Sequence, residues 1–289
     1  MADQRQGGIS WTNETWNPIR GCSKVSEGCR NCYAMNVAAR FSGPGQPYEG
    51  LALQAPARWT GQVKLVGDKL ADPLRWKRPR LIFVNSMSDL FHESLAFEQI
   101  DQIVAVMALA RQHTFQVLTK RPERMAAYLA SRAKSMAWPL ANVWWGTSVE
   151  DQAALETRMP SLLACRNFAA VLWLSMEPLL GPVSLADYLP VPTIGGVELE
   201  AWPDWVVVGG ESGTNARPMW AGWARAIRDE CRAAGVPFHF KQHGEFLDAG
   251  QILESAGRPV PVMTRVGKKA AGRLLDGVVH DAMPVVGQA

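Results

Sequence analysis

Cysteine is scarce in this chain, five in 289 residues, and the five show no paired spacing. That excludes a small scaffold stapled by disulfides. Charge of one sign is also scarce: the net charge is only +3, too little to argue by itself for a nucleic-acid partner. No apolar run approaches the length of a membrane span, so no membrane association is expected. The first eight residues, Met-Ala-Asp-Gln-Arg-Gln-Gly-Gly, are polar and lack the apolar core of a signal peptide. The expected compartment is therefore the reducing cytoplasm. No low-complexity tract occurs.

What is present suits a soluble globular enzyme: 47% apolar and 20% charged residues, enough for a sizeable core. Twelve tryptophans are unusual; most should serve packing, with some available to stack on a planar substrate. The length suits one α/β barrel domain over 1–289.

Short β-branched or aromatic runs at 81–85, 115–119, 143–147, 171–175, 205–209 and 237–241 predict strands. Helical patterns at 96–112, 121–136, 151–165, 183–189 and 218–234 lie between them. Wholly apolar strands alternating with helices predict a parallel sheet covered on both faces, as in a parallel (β/α) barrel, partial or full. A strand or extended piece is expected near 9–15 and an extra strand near 64–67, 42–62 reads as an irregular functional loop, and 244–289 as a C-terminal extension. The strands end in polar clusters: Asn85-Ser-Met-Ser-Asp89, Thr119-Lys120-Arg121, Thr147-Ser148-Val-Glu150, Ser175-Met176-Glu177, Gly209-Gly-Glu211 and Lys241-Gln-His243. In a parallel barrel such tips share the face that carries the chemistry, although each alone also suits a helix cap.

Three cysteines, Cys22, Cys29 and Cys32, fall within eleven residues as C-x6-C-x2-C in a loop at 15–34. A helix predicted from Tyr33 directs its N-terminal dipole at them, which favours thiolates. Three thiolates leave one coordination position open, as on an iron–sulfur cluster with one free iron. A structural zinc with a distant fourth ligand, a buried group of thiols or a disulfide are the alternatives. His92, His113, His239 and His243 are too scattered to give a zinc hydrolase a local ligand pair. Cys165 and Cys231 read as buried small apolar residues. In the basic run at 266–277, Lys268, Lys269 and Arg273 could contact phosphate or carboxylate, but a solvated face is the favoured reading.

Asn17-Pro-Ile-Arg-Gly-Cys22 and Gly28-Cys29-Arg-Asn-Cys32-Tyr33-Ala34 resemble the cluster loop of the radical S-adenosylmethionine superfamily. The similarity is closest to the spore photoproduct lyase branch, whose loop runs Asn-Pro-Tyr-Arg-Gly-Cys and then Gly-Cys-x-Tyr-Cys-Tyr-Ala. The whole chain resembles a phage- and prophage-associated three-Cys-motif family of unsettled function. Supporting stretches are Phe83-Val-Asn-Ser-Met-Ser-Asp-Leu-Phe-His92, Leu118-Thr-Lys-Arg-Pro122, Trp145-Gly-Thr-Ser-Val-Glu150, Leu174-Ser-Met-Glu-Pro-Leu179, Val208-Gly-Gly-Glu-Ser-Gly213 and Val266-Gly-Lys-Lys269. The superfamily's common spacing is C-x3-C-x2-C, so the loop here has three extra residues within 23–28.

The resemblance implies a radical SAM-like fold in which Cys22, Cys29 and Cys32 bind a [4Fe–4S] cluster. The free iron would chelate S-adenosylmethionine, whose reductive cleavage yields a 5′-deoxyadenosyl radical. It also implies Ser86, Ser88 and Asp89 near the methionyl part, Ser148 and Glu150 near the ribose, and Lys120 on the carboxylate. Glu211, Glu177 and Lys241 fall on the substrate side. With the Arg75-Trp-Lys-Arg-Pro-Arg80 run it leans toward a nucleic acid or nucleotide substrate, and the phage context toward a protein partner encoded nearby. The rival expectation is a non-catalytic zinc- or redox-cluster protein that binds nucleic acid or a partner.

Overall fold

The computed structural model describes residues 9–190, 201–253 and 259–285. Seven strands form the main sheet: β1 (Glu14–Trp16), β2 (Leu81–Val84), β3 (Thr114–Thr119), β4 (Leu140–Ser148), β5 (Ala169–Met176), β6 (Trp205–Gly209) and β7 (Phe238–Gln242). The helices longer than one turn are α1 (Tyr33–Arg40), α2 (Phe97–Leu109), α3 (Pro122–Ser131), α4 (Gln152–Leu163) and α5 (Ala221–Ala234). Every strand lies beside its sequence neighbour, in the order β1-β2-β3-β4-β5-β6-β7. The α/β alternation and the parallel sheet are as expected. Among the described residues the order ends on β1 and β7.

Contacts divide the chain into two compact units. The first comprises Met1–Ser148, Arg158–Trp173 and Val285–Ala289. In it β1, β2, β3 and β4 pair in parallel, with Glu14 opposite Ile82, Ile82 opposite Phe115 and Phe115 opposite Val143. These strands form because their residues are β-branched or aromatic and both faces are covered. Trp16, Ile82, Val84, Phe115, Val117, Val143 and Trp145 are all buried, each apolar side chain contributing about 1.5–3 kcal/mol. Trp173 donates its indole N–H to the Val117 carbonyl at 3.1 Å. Its ring also lies where a Cβ on Gly146 would be, 2.4 Å from Nε1, so only glycine fits there.

The second unit comprises Val149–Thr157 and Leu174–Pro284. β6 and β7 pair in parallel with an irregularity between Val208 and Gly209. Trp205, Val206, Val207 and Val208 are buried, with Ile227 and Cys231 of α5 also in the core. α5 stops at Gly235 in the left-handed conformation, φ 70°, the usual helix C-terminal device.

Four local expectations are revised. The segment at 64–67 yields the two-residue strand Lys64–Leu65, which pairs with Ile19–Arg20 outside the main sheet. The loop at 42–62 contains an antiparallel hairpin of Ala52–Gln54 and Ala57–Trp59, and Ala38 of α1 packs with Tyr48, Leu51 and Ala52. The short helix expected at 183–189 is a single 3-10 turn, Ala186–Tyr188. The extension holds an antiparallel ribbon, Phe246–Leu253 with Pro259–Arg265, and a one-turn helix, Lys268–Ala271. No tryptophan is exposed among the described residues, so packing accounts for most of them. No helix among the described residues is long and apolar enough to cross a membrane.

Candidate functional site

The cysteine loop belongs to the first unit and starts where β1 ends. The Asn17 carboxamide oxygen accepts the Met87 N–H at 3.0 Å and the Ser86 hydroxyl at 3.2 Å. Gly21 adopts φ 91°, and a Cβ there would lie 2.1 Å from the Gln62 carbonyl. Only glycine tolerates both the conformation and the contact, and the chain is thereby delivered to Cys22. A 3-10 turn, Glu27–Cys29, brings in Cys29. Cys32 is the N-cap of α1. Its side chain makes no capping hydrogen bond, but the backbone N–H groups of Met35 and Ala34 favour its thiolate against burial, as expected at a helix N-terminus.

All five cysteines are free, and Cys22, Cys29 and Cys32 are half-buried. Burial, then the Asp89 carboxylate, pushes the Cys22 thiol up to about 12; Arg121 opposes the rise, and Cys32 and Cys29 add to it. Burial also raises Cys32, against the two N–H groups and Lys120, while Cys29 raises it further. The three sulfurs thus lie within one another's field. Thiols held this way stay protonated until a metal centre displaces the protons. Among the described residues, no group of three His, Cys, Asp or Glu side chains is drawn in to hold a single ion. The donor set itself, three free thiols with a helix terminus and two cations beside them, has the chemistry of a cluster site.

Asp89, expected near a cofactor, is instead saturated from within. Its carboxylate accepts the Thr119 hydroxyl at 2.7 Å, the Phe91 N–H at 2.9 Å, Arg121 Nη1 at 3.0 Å and the Lys120 N–H at 3.2 Å. Lys120 Nζ donates to Ser148 Oγ at 2.7 Å, so the two share a site. Ser88 donates to the Ile19 carbonyl at 2.9 Å. Asp89, Lys120 and Ser148 are thus joined in one network, while Ser86 and Ser88 hold the start of the loop.

The remaining predicted residues fall in the second unit. Glu150 is buried there, and its carbonyl accepts the Leu180 N–H at 2.8 Å. Glu177 and Lys241 form an ion pair at 3.0 Å, with Ser175 Oγ 3.3 Å from the carboxylate. A Cβ on Gly209 would lie 2.5 Å from Glu177 Oε1, and one on Gly210 would lie 2.0 Å from the His243 carbonyl. Close approach to backbone therefore requires glycine at 210, while at 209 a side chain would have to move the Glu177 carboxylate aside. Glu211 is buried and receives three bonds from Arg217: Nη2 at 2.7 Å, the backbone N–H at 2.8 Å and Nε at 2.9 Å.

A family model described as "Protein of unknown function (DUF5131)" matches residues 6–284. The chain belongs to the DUF5131 family. Neither a curated protein nor a solved structure matches it.

In this DUF5131 member the central side chain of the first unit is one that sequence reasoning passed over. Arg121 is buried and bonds Asp89, Glu93 Oε2 at 2.6 Å and Ser23 Oγ at 2.7 Å. Ser23 in turn donates to Glu93 Oε1 at 2.9 Å and meets His92 Nε2 at 3.0 Å. Because His92 Nδ1 accepts the Ser94 N–H, Nε2 carries the proton and donates to Ser23. Burial opposes ionisation of Glu93, but its own backbone N–H, Arg121 and Ser23 hold its carboxyl down at about 2. The available signal was Thr119-Lys-Arg-Pro122, an arginine at a strand tip one residue before a helix-starting proline. Arg217 carried no such mark.

Proposed function

We propose that this chain is a radical S-adenosylmethionine-type iron–sulfur enzyme, with Cys22, Cys29 and Cys32 holding three irons of a [4Fe–4S] cluster. The observation that carries the reading is Cys32 at the α1 N-terminus, where two backbone N–H groups favour its thiolate and both other thiols lie in its field. When bound, such a cluster supplies the electron for reductive cleavage of S-adenosylmethionine to the 5′-deoxyadenosyl radical.

The chain's own groups then take these parts. Arg121 and Lys120 offset the negative charge of the thiolates. Lys120, poised on Ser148, is placed to pair with the cofactor's carboxylate. Glu150 suits a ribose hydroxyl. Glu177 and Lys241 make a proton-donor and proton-acceptor pair for substrate. Glu211, with both oxygens on Arg217, serves as a fixed charge. A nucleic acid or nucleotide substrate and a protein partner encoded nearby belong to the same reading, as do its phage setting and a place in the cytoplasm.

One observation favours a second reading. The groups expected on the methionyl part, Ser86, Ser88 and Asp89, are spent on internal bonds, which suits a structural or redox centre in a binding protein. Anaerobic reconstitution with iron and sulfide, then reduction with dithionite in the presence of S-adenosylmethionine, separates the two. 5′-Deoxyadenosine that depends on all three cysteines is the expected result. An iron cluster that never cleaves the cofactor selects the second reading, and bound zinc without iron removes the first.

A further inference from the structure

One basic segment of the first unit takes no part in the cysteine centre. Arg75, Lys77, Arg78 and Arg80 fall within six residues, so chain length alone keeps their Cα atoms within about 18 Å of one another. They lead from a one-turn helix, Asp72–Arg75, into β2. The segment is held firmly along its length. The Trp76 carbonyl accepts Gln112 Nε2 at 3.3 Å, and the Arg80 carbonyl accepts the Thr114 N–H at 2.9 Å. The Arg80 guanidinium lies 4.8 Å over the Trp76 ring, and the His113 ring meets that indole edge-on at 5.9 Å. Pro79 fixes a backbone angle between Arg78 and Arg80. Little ordering is left for a ligand to impose on the backbone here.

Two carboxylates reach these cations. Asp72 lies 3.5 Å from Arg75 and 3.6 Å from Lys69, and Glu14 pairs with Arg80. Lys77 and Arg78 are exposed, and among the described residues neither has an ion-pair partner. Arg111, beside Gln112, is exposed as well, and its Nε goes to the Ala108 carbonyl at 3.4 Å rather than to an acid. Three cations thus stand uncompensated on one surface, a local field that the modest net charge of the chain conceals. Trp76, the aromatic that a protein partner would take as its anchor, is already covered by Arg80. Exposed guanidinium forks and an ammonium suit phosphate oxygens. A duplex carries about one phosphate charge per 1.7 Å of its axis, so a short patch meets several without a matched surface.

We propose that Lys77, Arg78 and Arg111, with Arg75 beside them, anchor the phosphate backbone of nucleic acid without reading its sequence. The patch precedes β2, whereas the cysteine loop follows β1, the parallel neighbour of β2. The two therefore lie at opposite ends of these strands, and the patch holds nucleic acid without touching the reacting groups. The proposal rests on the nucleic-acid part of the reading above and on nothing in its cluster chemistry.

Fluorescence anisotropy of a labelled, mixed-sequence DNA duplex of about 20 base pairs tests it, with the full chain before any iron is added and salt varied from about 50 to 200 mM. Saturable, salt-sensitive binding is expected. The double variant Lys77→Gln/Arg78→Gln should bind about tenfold or more weakly, and its slope of log affinity against log salt should be shallower by about two. Arg232→Gln removes a cation 78% exposed in the second unit and should bind as the parent does. Circular dichroism checks each fold, and if the double variant does not fold, Arg111→Gln should make the slope shallower by about one. Four results would each overturn the proposal: no saturable binding, an unaltered double variant, an equal loss in Arg232→Gln, or poly-glutamate displacing the duplex at equal charge concentration, which would mark an acidic protein as the partner. Because no iron is present, failure here leaves the radical reading standing, and failure to form 5′-deoxyadenosine leaves this surface standing.

Discussion

Ser23 and Arg121, 98 positions apart in the chain, meet at 2.7 Å through Oγ and Nη2. Ser23 follows Cys22 directly and opens the three-residue enlargement of the cysteine loop. Its hydroxyl accepts from Arg121 and His92 and donates to Glu93, which uses its full bonding capacity. The enlarged loop is therefore tied to the tip of β3, and the tie ends one residue from a proposed ligand.

Removing that tie should be costly. Arg121→Gln leaves the Asp89 carboxylate, 6% exposed, without its cation, and breaking a buried pair this way costs about 3–5 kcal/mol. Ser23→Ala should cost about 1–3 kcal/mol, because buried donors lose their acceptor. Urea unfolding measures both. Glu93, held at about 2, contributes stability that is complete above its ordinary value of 4.5 and is lost as pH falls toward 2. Arg121→Gln should flatten that acid limb.

Single alanine substitutions at Cys22, Cys29 and Cys32 should abolish iron binding after reconstitution, with far-ultraviolet circular dichroism unchanged, since none lies in the main sheet. Cys165 and Cys231 are fully buried, and burial pushes each up to about 12. Their serine variants should retain iron in full. Metal content by mass spectrometry settles both halves.

His239 is 1% exposed, and burial, then Arg273 and Lys241, holds it at about 3. The folded state keeps it neutral while the unfolded chain protonates it below about 6.5. Stability from this residue is thus complete above pH 6.5 and falls with pH toward 3, by at most about 1.4 kcal/mol per unit. The parent minus His239→Gln difference, taken from urea unfolding between pH 7 and about 4, should show that slope.

Gly210→Ala and Gly209→Ala should differ sharply. The first places a Cβ 2.0 Å from a backbone carbonyl, the second 2.5 Å from a side-chain carboxylate that can move. A loss of about 3 kcal/mol or more is expected at Gly210 and about 1 kcal/mol at Gly209. Differential scanning calorimetry separates them, and equal losses would contradict the packing described.

The strands, most of the helices and the start of α1 behind Cys32 were legible because they depend on local chemistry: apolar runs, helix formers and the residues that punctuate them. The three cysteines were legible because eleven residues bound how far they can separate. Arg121 was not, since its partners Ser23, Asp89 and Glu93 come from separate segments and a buried arginine has no spacing rule of its own. The Gly209-Gly-Glu211 stretch reads in sequence as a binding element. Folding gives the glycines to Glu177 and His243 and the acid to Arg217. Periodicity and short spacing specify the α/β frame and keep the three loop cysteines close together. Which charges neutralise one another depends on distances of about 3 Å between residues remote in the chain, and only folding sets those.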